Sequence, residues 1–285
     1  MKKIIKLSIL CSLIIFLFGC NKLGNQTIYT TVYPIEYLTN RLYGDHATIA
    51  SIYPDGSDPS DYQLIDKQIN AYSASDVFVY NGTTNERQIA KTFSNNNSRL
   101  KVIDAAYGLK YTYGIEELWL SPSNYLMLAS NIKDNLKDQI GTKYINEEID
   151  IKYHELEQEL SVMDATLRSI ATKAKAQGKQ TIVASTNTFK FLENYGFNVL
   201  SLEDYPIGSS SLASLKGEFN GGKYKYILVE STETTNDAIQ EIISSGGTPI
   251  IVNMMNTLTE ASRKNNDNYF TIMNNFIGEL KNAVN

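Results

Sequence analysis

The stretch Thr27 to Tyr62 reads TIYTTVYPIEYLTNRLYGDHATIASIYPDGSDPSDY, and its periodicity decides the class of fold. Residues 27–34 are an apolar run rich in β-branched and aromatic side chains, which predicts a buried strand. Ile35 to Tyr43 carries apolar residues at helical spacing, and ATIASIYP (47–54) returns to a strand-like run. Strand, helix and strand in this order make the crossover of a parallel sheet. The unit ends in YPDGSDPSDY (53–62), where three aspartates, two prolines and a glycine build a rigid acidic turn.

The alternation continues outward from this unit. DVFVYNG (76–82) and LKVIDA (100–105) follow in the first half, and QTIVAST (180–186), FNVLSLE (197–203), YKYILVEST (224–232) and TPIIVNMM (248–255) in the second. Helix-like stretches lie between them, at Gln63 to Ala74, Asn187 to Tyr195 and Asn236 to Ser244. The expectation is an α/β protein of two lobes, each a mainly parallel sheet of about four strands flanked by helices.

Helix separates the lobes. Pro122 opens a helical stretch from Ser123 to Gln139, and a second runs from Lys143 to Gln177 with Gly178 as its stop. In the second, Ile145, Ile149, Tyr153, Leu156, Leu160, Met163, Leu167, Ile170 and Ala174 recur in steps of three and four. Such a helix would be about 50 Å long. The stripe suits either a rigid strut bracing both lobes or a dimer seam; a single segment flanked by α/β units favours the strut, and with it a monomer. Asn268 to Val284 also has helical spacing and is expected to pack on the second lobe, and SNNNS (94–98) reads as a surface loop.

Residues 1–19 differ from the rest. Lys2, Lys3 and Lys6 precede an apolar run from Leu7 to Phe18 that ends in Leu17-Phe18-Gly19-Cys20, the layout of a lipoprotein export signal with Cys20 as the lipidated first residue. The run is shorter than the ~20 residues of a membrane span. The plan is therefore a signal peptide at 1–19, an N-terminal lobe at 20–121, linking helices at 122–178 and a C-terminal lobe at 179–285, exported and held by lipid on the outer face of the cell membrane. Cleavage removes Cys11, so no disulfide remains and packing alone must hold the fold.

Cleavage also takes three of the 26 basic residues and none of the 31 acidic ones, moving the formal net charge from −5 to −8. That sign excludes nucleic acid as a partner, because phosphates require a basic footprint. No P-loop, dinucleotide fingerprint or nucleophile elbow is present, and both histidines, His46 and His154, are expected to face solvent. An enzyme is not expected. Open α/β sheets bind ligands beyond the carboxyl ends of their strands. Those ends, at residues 33–34, 53–62, 81–82, 185–187, 203–211, 230–232 and 253–256, outline a cleft.

The order of these segments resembles the zinc/manganese-type substrate-binding lipoproteins of ABC importers. VYPIEYLTNRLYGDHATIASIYPDGSDPSDYQ is similar to that family's first strand, helix, second strand and P-x-G-x-D-P-H-x-Y turn. SDVFVYNG, ELWLSPSNYLMLASNIKDNL, VASTNTFKFLENYGF and NYFTIMNNFIGEL resemble its later segments in the right order. The resemblance implies a receptor that captures zinc or manganese between its lobes as transported ligand, and docks on an ABC permease. It also implies four ligand positions, which fall on Ser60, Glu117, Thr186 and Asn253. Three of these carry weak donors, since zinc sites are built from imidazole, thiolate and carboxylate. Only Glu117 is a strong candidate metal ligand. Tyr33, Tyr62, Trp119 and Tyr205 are placed to enclose a ligand, and Glu230 stands at a strand end. Three readings of the cleft stay open: retuning to a hard cation or small polar solute, a metal site rebuilt from Asp58, Asp61, Glu116 or Glu230, and loss of binding with a role as a surface adhesin.

Overall fold

The computed structural model describes residues 26–231 and 236–284. The export signal and Cys20 lie outside the described residues. In the first lobe, β1 (Gln26–Thr30), β2 (Ala47–Ser51), β3 (Val77–Tyr80) and β4 (Lys101–Asp104) form a wholly parallel sheet in the order β2-β1-β3-β4. In the second, β5 (Thr181–Ala184), β6 (Asn198–Ser201), β7 (Tyr226–Glu230) and β8 (Thr248–Val252) repeat it as β6-β5-β7-β8. The expected two-lobe α/β fold is the observed one; seven strands fall within the apolar runs, and β1 starts one residue before its run.

The first-lobe helices are α1 (Tyr33–Tyr43), α2 (Asp66–Ser73) and α3 (Glu86–Asn96). Pro34 sits at the start of α1, where a missing N–H costs nothing, and Ile35, Leu38, Thr39 and Leu42 turn one face into the core. The tract Ser94 to Ser98 is not all loop: Ser94 to Asn96 complete the last turn of α3, closed by the Asn97 N–H on the Phe93 carbonyl at 2.9 Å. At the other end of α3, Glu86 is 5% exposed and accepts the Asn81 N–H at 2.8 Å. Burial raises its carboxyl from 4.5 to about 7, and Asp104 adds to the shift while the Asn81 N–H opposes it.

The short α4 (Glu117–Leu120) leads into α5 (Pro122–Gln139) and then α6 (Lys143–Ala176). Thr142 caps α6 through its hydroxyl, and Gly178 supplies the positive φ of 68° after its end. Its 34 residues span about 51 Å, and Ile149, Leu156, Leu160, Met163, Leu167, Ile170 and Ala174 are buried along one stripe. Ion pairs tie its polar flank to the first lobe: Lys152 to Asp45 at 2.6 Å and Arg41 to Glu159 at 3.1 Å. His46 joins this set, half-buried with Nε2 2.6 Å from a Glu148 oxygen, so it does not face solvent as expected. The partner lies 102 residues away, beyond any local pattern. His154 is exposed, beside Glu157 and Gln158.

The second lobe adds α7 (Ser210–Asn220) and α8 (Asp237–Ser244) around a separate apolar cluster that includes Val183, Leu215, Phe219, Ile227 and Ile242. Asn187–Tyr195 winds as a 3-10 helix rather than an α-helix. Phe189, Leu192 and Tyr195 recur every three residues and are buried, which matches a three-residue turn.

After β8 the chain leaves the second lobe as a strap. Asn253 Oδ1 accepts the Met255 N–H at 2.8 Å and folds a kink in which Met255 has φ 60°. The strap then binds the first lobe: the Tyr33 N–H donates to the Asn256 carbonyl at 3.1 Å, the Gly56 N–H to Leu258 at 2.8 Å, and the Thr257 hydroxyl to Ser57 at 2.7 Å. Arg263, in α9 (Glu260–Lys264), grips both Asp55 oxygens at 2.7 Å and both Glu36 oxygens at 3.0 Å. The Trp119 indole donates to the Met254 carbonyl at 2.7 Å, wholly buried.

The last helix, α10 (Tyr269–Ala283), extends the same stitching. Tyr269 stacks on Tyr125 with centroids 3.9 Å apart and donates to the Trp119 carbonyl at 2.7 Å, while Ala283 and Val284 border Thr181 and Tyr226. The helix thus reaches the second lobe, as expected, and also packs on the first, which the sequence did not indicate.

Two outcomes follow. Trp119→Phe removes the indole N–H that satisfies the Met254 carbonyl and leaves a void where the larger ring packed, and chemical denaturation should show a loss of about 2–4 kcal/mol. For Glu86, the raised folded value means that folding takes up a proton between pH 4.5 and about 7. Its contribution is full below pH 4.5 and is lost as pH rises through about 7, a swing on the order of 3 kcal/mol. Thermal unfolding across that range should flatten in Glu86→Gln.

Candidate functional site

The carboxyl ends of the first-lobe strands converge on a cavity of about 430 Å3. The turn after β2 supplies Asp58, Ser60, Tyr62 and, from its base, Tyr53. The β3–α3 connection supplies Asn81 and the first turn of α3 Glu86, the approach to α4 supplies Glu116 and α4 itself Trp119, and the strap closes the wall with Asn256. The turn is self-supporting. Asp58 Oδ1 accepts both the backbone N–H and the hydroxyl of Ser60 at 2.8 Å, which fixes Ser60 at the exposed rim. Tyr53 and Tyr62 meet edge to face at 6.0 Å and make an aromatic corner.

Glu116 is half-buried, and Asn256 Nδ2 donates to its Oε1 at 3.4 Å. Burial raises its carboxyl above the usual range, and the charges of Glu230 and Asp58 add to the shift. Asp58, Glu116 and Glu230 therefore share one negative field across the seam between the lobes.

Of the residues singled out by sequence, Asp58, Ser60, Tyr62, Glu116 and Trp119 line the cavity, and Asp61 does not. Trp119 is 1% exposed and its indole N–H is already committed to Met254, so it offers only ring surface. Glu117 is 7% exposed and points into its own loop: its carboxylate accepts the N–H groups of Thr112 at 3.2 Å, Tyr113 at 2.5 Å and Gly114 at 3.1 Å. Thr186 is buried and donates its hydroxyl to Glu230 Oε1. The Glu230 N–H in turn donates to Ser185 Oγ at 3.2 Å, so these residues form a polar brace at the mouth of the second lobe. Asn253 spends its carbonyl oxygen on the kink of the strap. Tyr33 is buried outside the cavity, against Tyr37 and under the Arg263 guanidinium at 5.9 Å. Tyr205 packs with the separate second-lobe cluster. The strand end at 230–232 is described only as far as Ser231.

Among the lining residues that had escaped attention as individuals are Asn81, Glu86 and Asn256. Asn81 and Asn256 fall in strand-end segments flagged from the sequence, whereas Glu86 reads as an ordinary acidic residue in a helix's first turn. Among the described residues, no three or more His, Cys, Asp or Glu side chains gather into a group able to hold a metal ion. The residues present do not form a zinc centre of the usual donor set.

The chain was compared with known proteins. Zinc-binding lipoprotein AdcA of Streptococcus pneumoniae serotype 4 is 26% identical across 99% of this chain, which spans 61% of that relative's length. A metal ABC transporter substrate-binding lipoprotein of Lactococcus lactis is 24% identical, over 95% of this chain and 94% of its own. The Zn(II)-bound ZnuA-like domain of S. pneumoniae AdcA superposes with TM-score 0.74 and 24% identity, covering 92% of this chain and 99% of that domain. The Bacillus subtilis metal-dependent lipoprotein YcdH gives 0.75 and 22%, covering 91% and 99%. These superpositions establish the shared two-lobe fold. The family model for the zinc-uptake complex component A, periplasmic (ZnuA), matches residues 28–283. The chain belongs to that family.

Proposed function

We propose that this protein is the extracytoplasmic solute-binding component of a zinc-type ABC importer, a lipid-anchored monomer that captures a metal ion or related small solute between its lobes. The observation that carries this reading is the match of the family model from residue 28 to residue 283. Relatives named as lipoproteins support anchoring through Cys20, and the metal ABC transporter relative supports a membrane permease as partner. No helix of the described residues is long and apolar enough to cross a membrane, in keeping with attachment from outside. The working division is residues 20–121, 122–178 and 179–285. The candidate contacts are Ser60, Tyr62 and Trp119 on one side and Thr186, Glu230 and Asn253 on the other. Nothing favours the adhesin alternative over transport. The reading requires no bond-making chemistry.

Strap and long helix both join the lobes, so capture depends on a largely preformed mouth. Zinc itself meets poor donors here. Ser60, Thr186 and Asn253 are engaged in local hydrogen bonds, and Glu117 already holds three N–H groups. Calorimetric titration of the chain from Cys20 onward should therefore show weak zinc binding. Glu117→Ala should lower the unfolding free energy by roughly 1–2 kcal/mol, because three partly exposed N–H groups lose their carboxylate acceptor, and leave the zinc titration unchanged. Tight zinc binding abolished by Glu117→Ala would overturn this account of the site.

A further inference from the structure

Resting on the receptor reading, we propose that the first-lobe cavity takes a small organic cation, an ammonium- or guanidinium-bearing solute, in place of a bare metal ion.

Size is the first argument. The cavity holds about 430 Å3, within the range of ~300–1,000 Å3 for small-molecule sites. A divalent ion with six waters at roughly 30 Å3 each fills less than half of that. A bare ion would need ligands converging within about 2.0–2.6 Å, and no such group exists among the described residues.

Charge is the second. Asp58, Glu86 and Glu116 line the cavity, and among the described residues no lysine, arginine or histidine does. The three carboxyls come from separate elements: the acidic turn, the first turn of α3 and the approach to α4. Glu86 is the deepest of them, 5% exposed, with the Asn81 N–H at 2.8 Å as its backbone partner. A buried carboxylate facing a cation-free cavity is stabilised by a ligand that brings positive charge.

The remaining walls suit an organic cation better than a hydrated ion. The Tyr53–Tyr62 corner and the Trp119 ring provide aromatic surface for a cation–π contact. Asn81, Asn85 and Asn256 provide amide groups for hydrogen bonds to N–H donors. Thr186, Asn253 and Glu117 do not line this space, whereas Ser60 does, so the cavity shares only one of the four positions that the family's metal would use.

The test is calorimetric titration of the chain from Cys20 onward with putrescine, agmatine, uncharged 1,4-butanediol, zinc and manganese. The expected result is that putrescine or agmatine binds at least tenfold more tightly than butanediol and either metal. Glu116→Gln and Glu86→Gln should each weaken amine binding tenfold or more. Asp58→Asn, at an exposed position, gives a third measurement should a buried variant fail to fold. Tight binding of zinc or manganese without amine binding would overturn the inference and leave the receptor reading standing. Binding of none of the five probes would overturn it and count against the receptor reading too. Amine binding unchanged in all three variants would place the ligand elsewhere and overturn it.

Discussion

The hydrogen bond from the Trp119 indole to the Met254 carbonyl joins the end of the first lobe to the strap that leaves the second. It is 2.7 Å long, wholly buried and spans 135 residues of sequence. Around it the other connections fall into place: Tyr269 donates to the Trp119 carbonyl, Tyr125 to the Pro34 carbonyl, and the Tyr33 N–H to the Asn256 carbonyl. A buried carbonyl without a partner is costly, so each of these bonds holds its neighbours in register. The first lobe, the strap and the C-terminal helix therefore meet at one buried polar knot.

The repeating elements were legible because burial imposes a period on them. β3 and β7 lie at the centres of their sheets and read as continuous runs, VFVY and YILVE; α6 announces itself by a stripe in steps of three and four. The strap was not legible. Its sequence after β8, NMMNTLTE, has no period, and it is ordered by carbonyls and N–H groups of residues some 200 positions away. His46 was misjudged, and the first-lobe contacts of the C-terminal helix went unseen, for the same reason: local sequence carries spacing, not the identity of a distant partner.

The site divides along the same line. The acidic turn was visible from its prolines, glycine and aspartates, and it does present Ser60 and Tyr62 to a cavity. Its second task was hidden. Asp55, Gly56 and Ser57 form the landing place of the strap, with Gly56 at φ 75° where a side chain would be strained. Glu117, the strongest-looking ligand by residue type, serves as an N–H acceptor for its own loop, whereas Glu86, ordinary by position, is the carboxyl sealed into the cavity wall. Residue type gave the chemistry available, and burial decided where it was used.

Asn256 closes a cavity whose other walls all come from residues before 120. Its contact with Glu116 bridges 140 positions. The binding wall is thus a contact of high order, and loop closure over such a span is among the slow steps of folding. A chain that emerges amino end first can build the first sheet early, yet the cavity stays open on one side until the last quarter of the sequence has folded back. A closed cavity is in this sense a report that the strap has arrived.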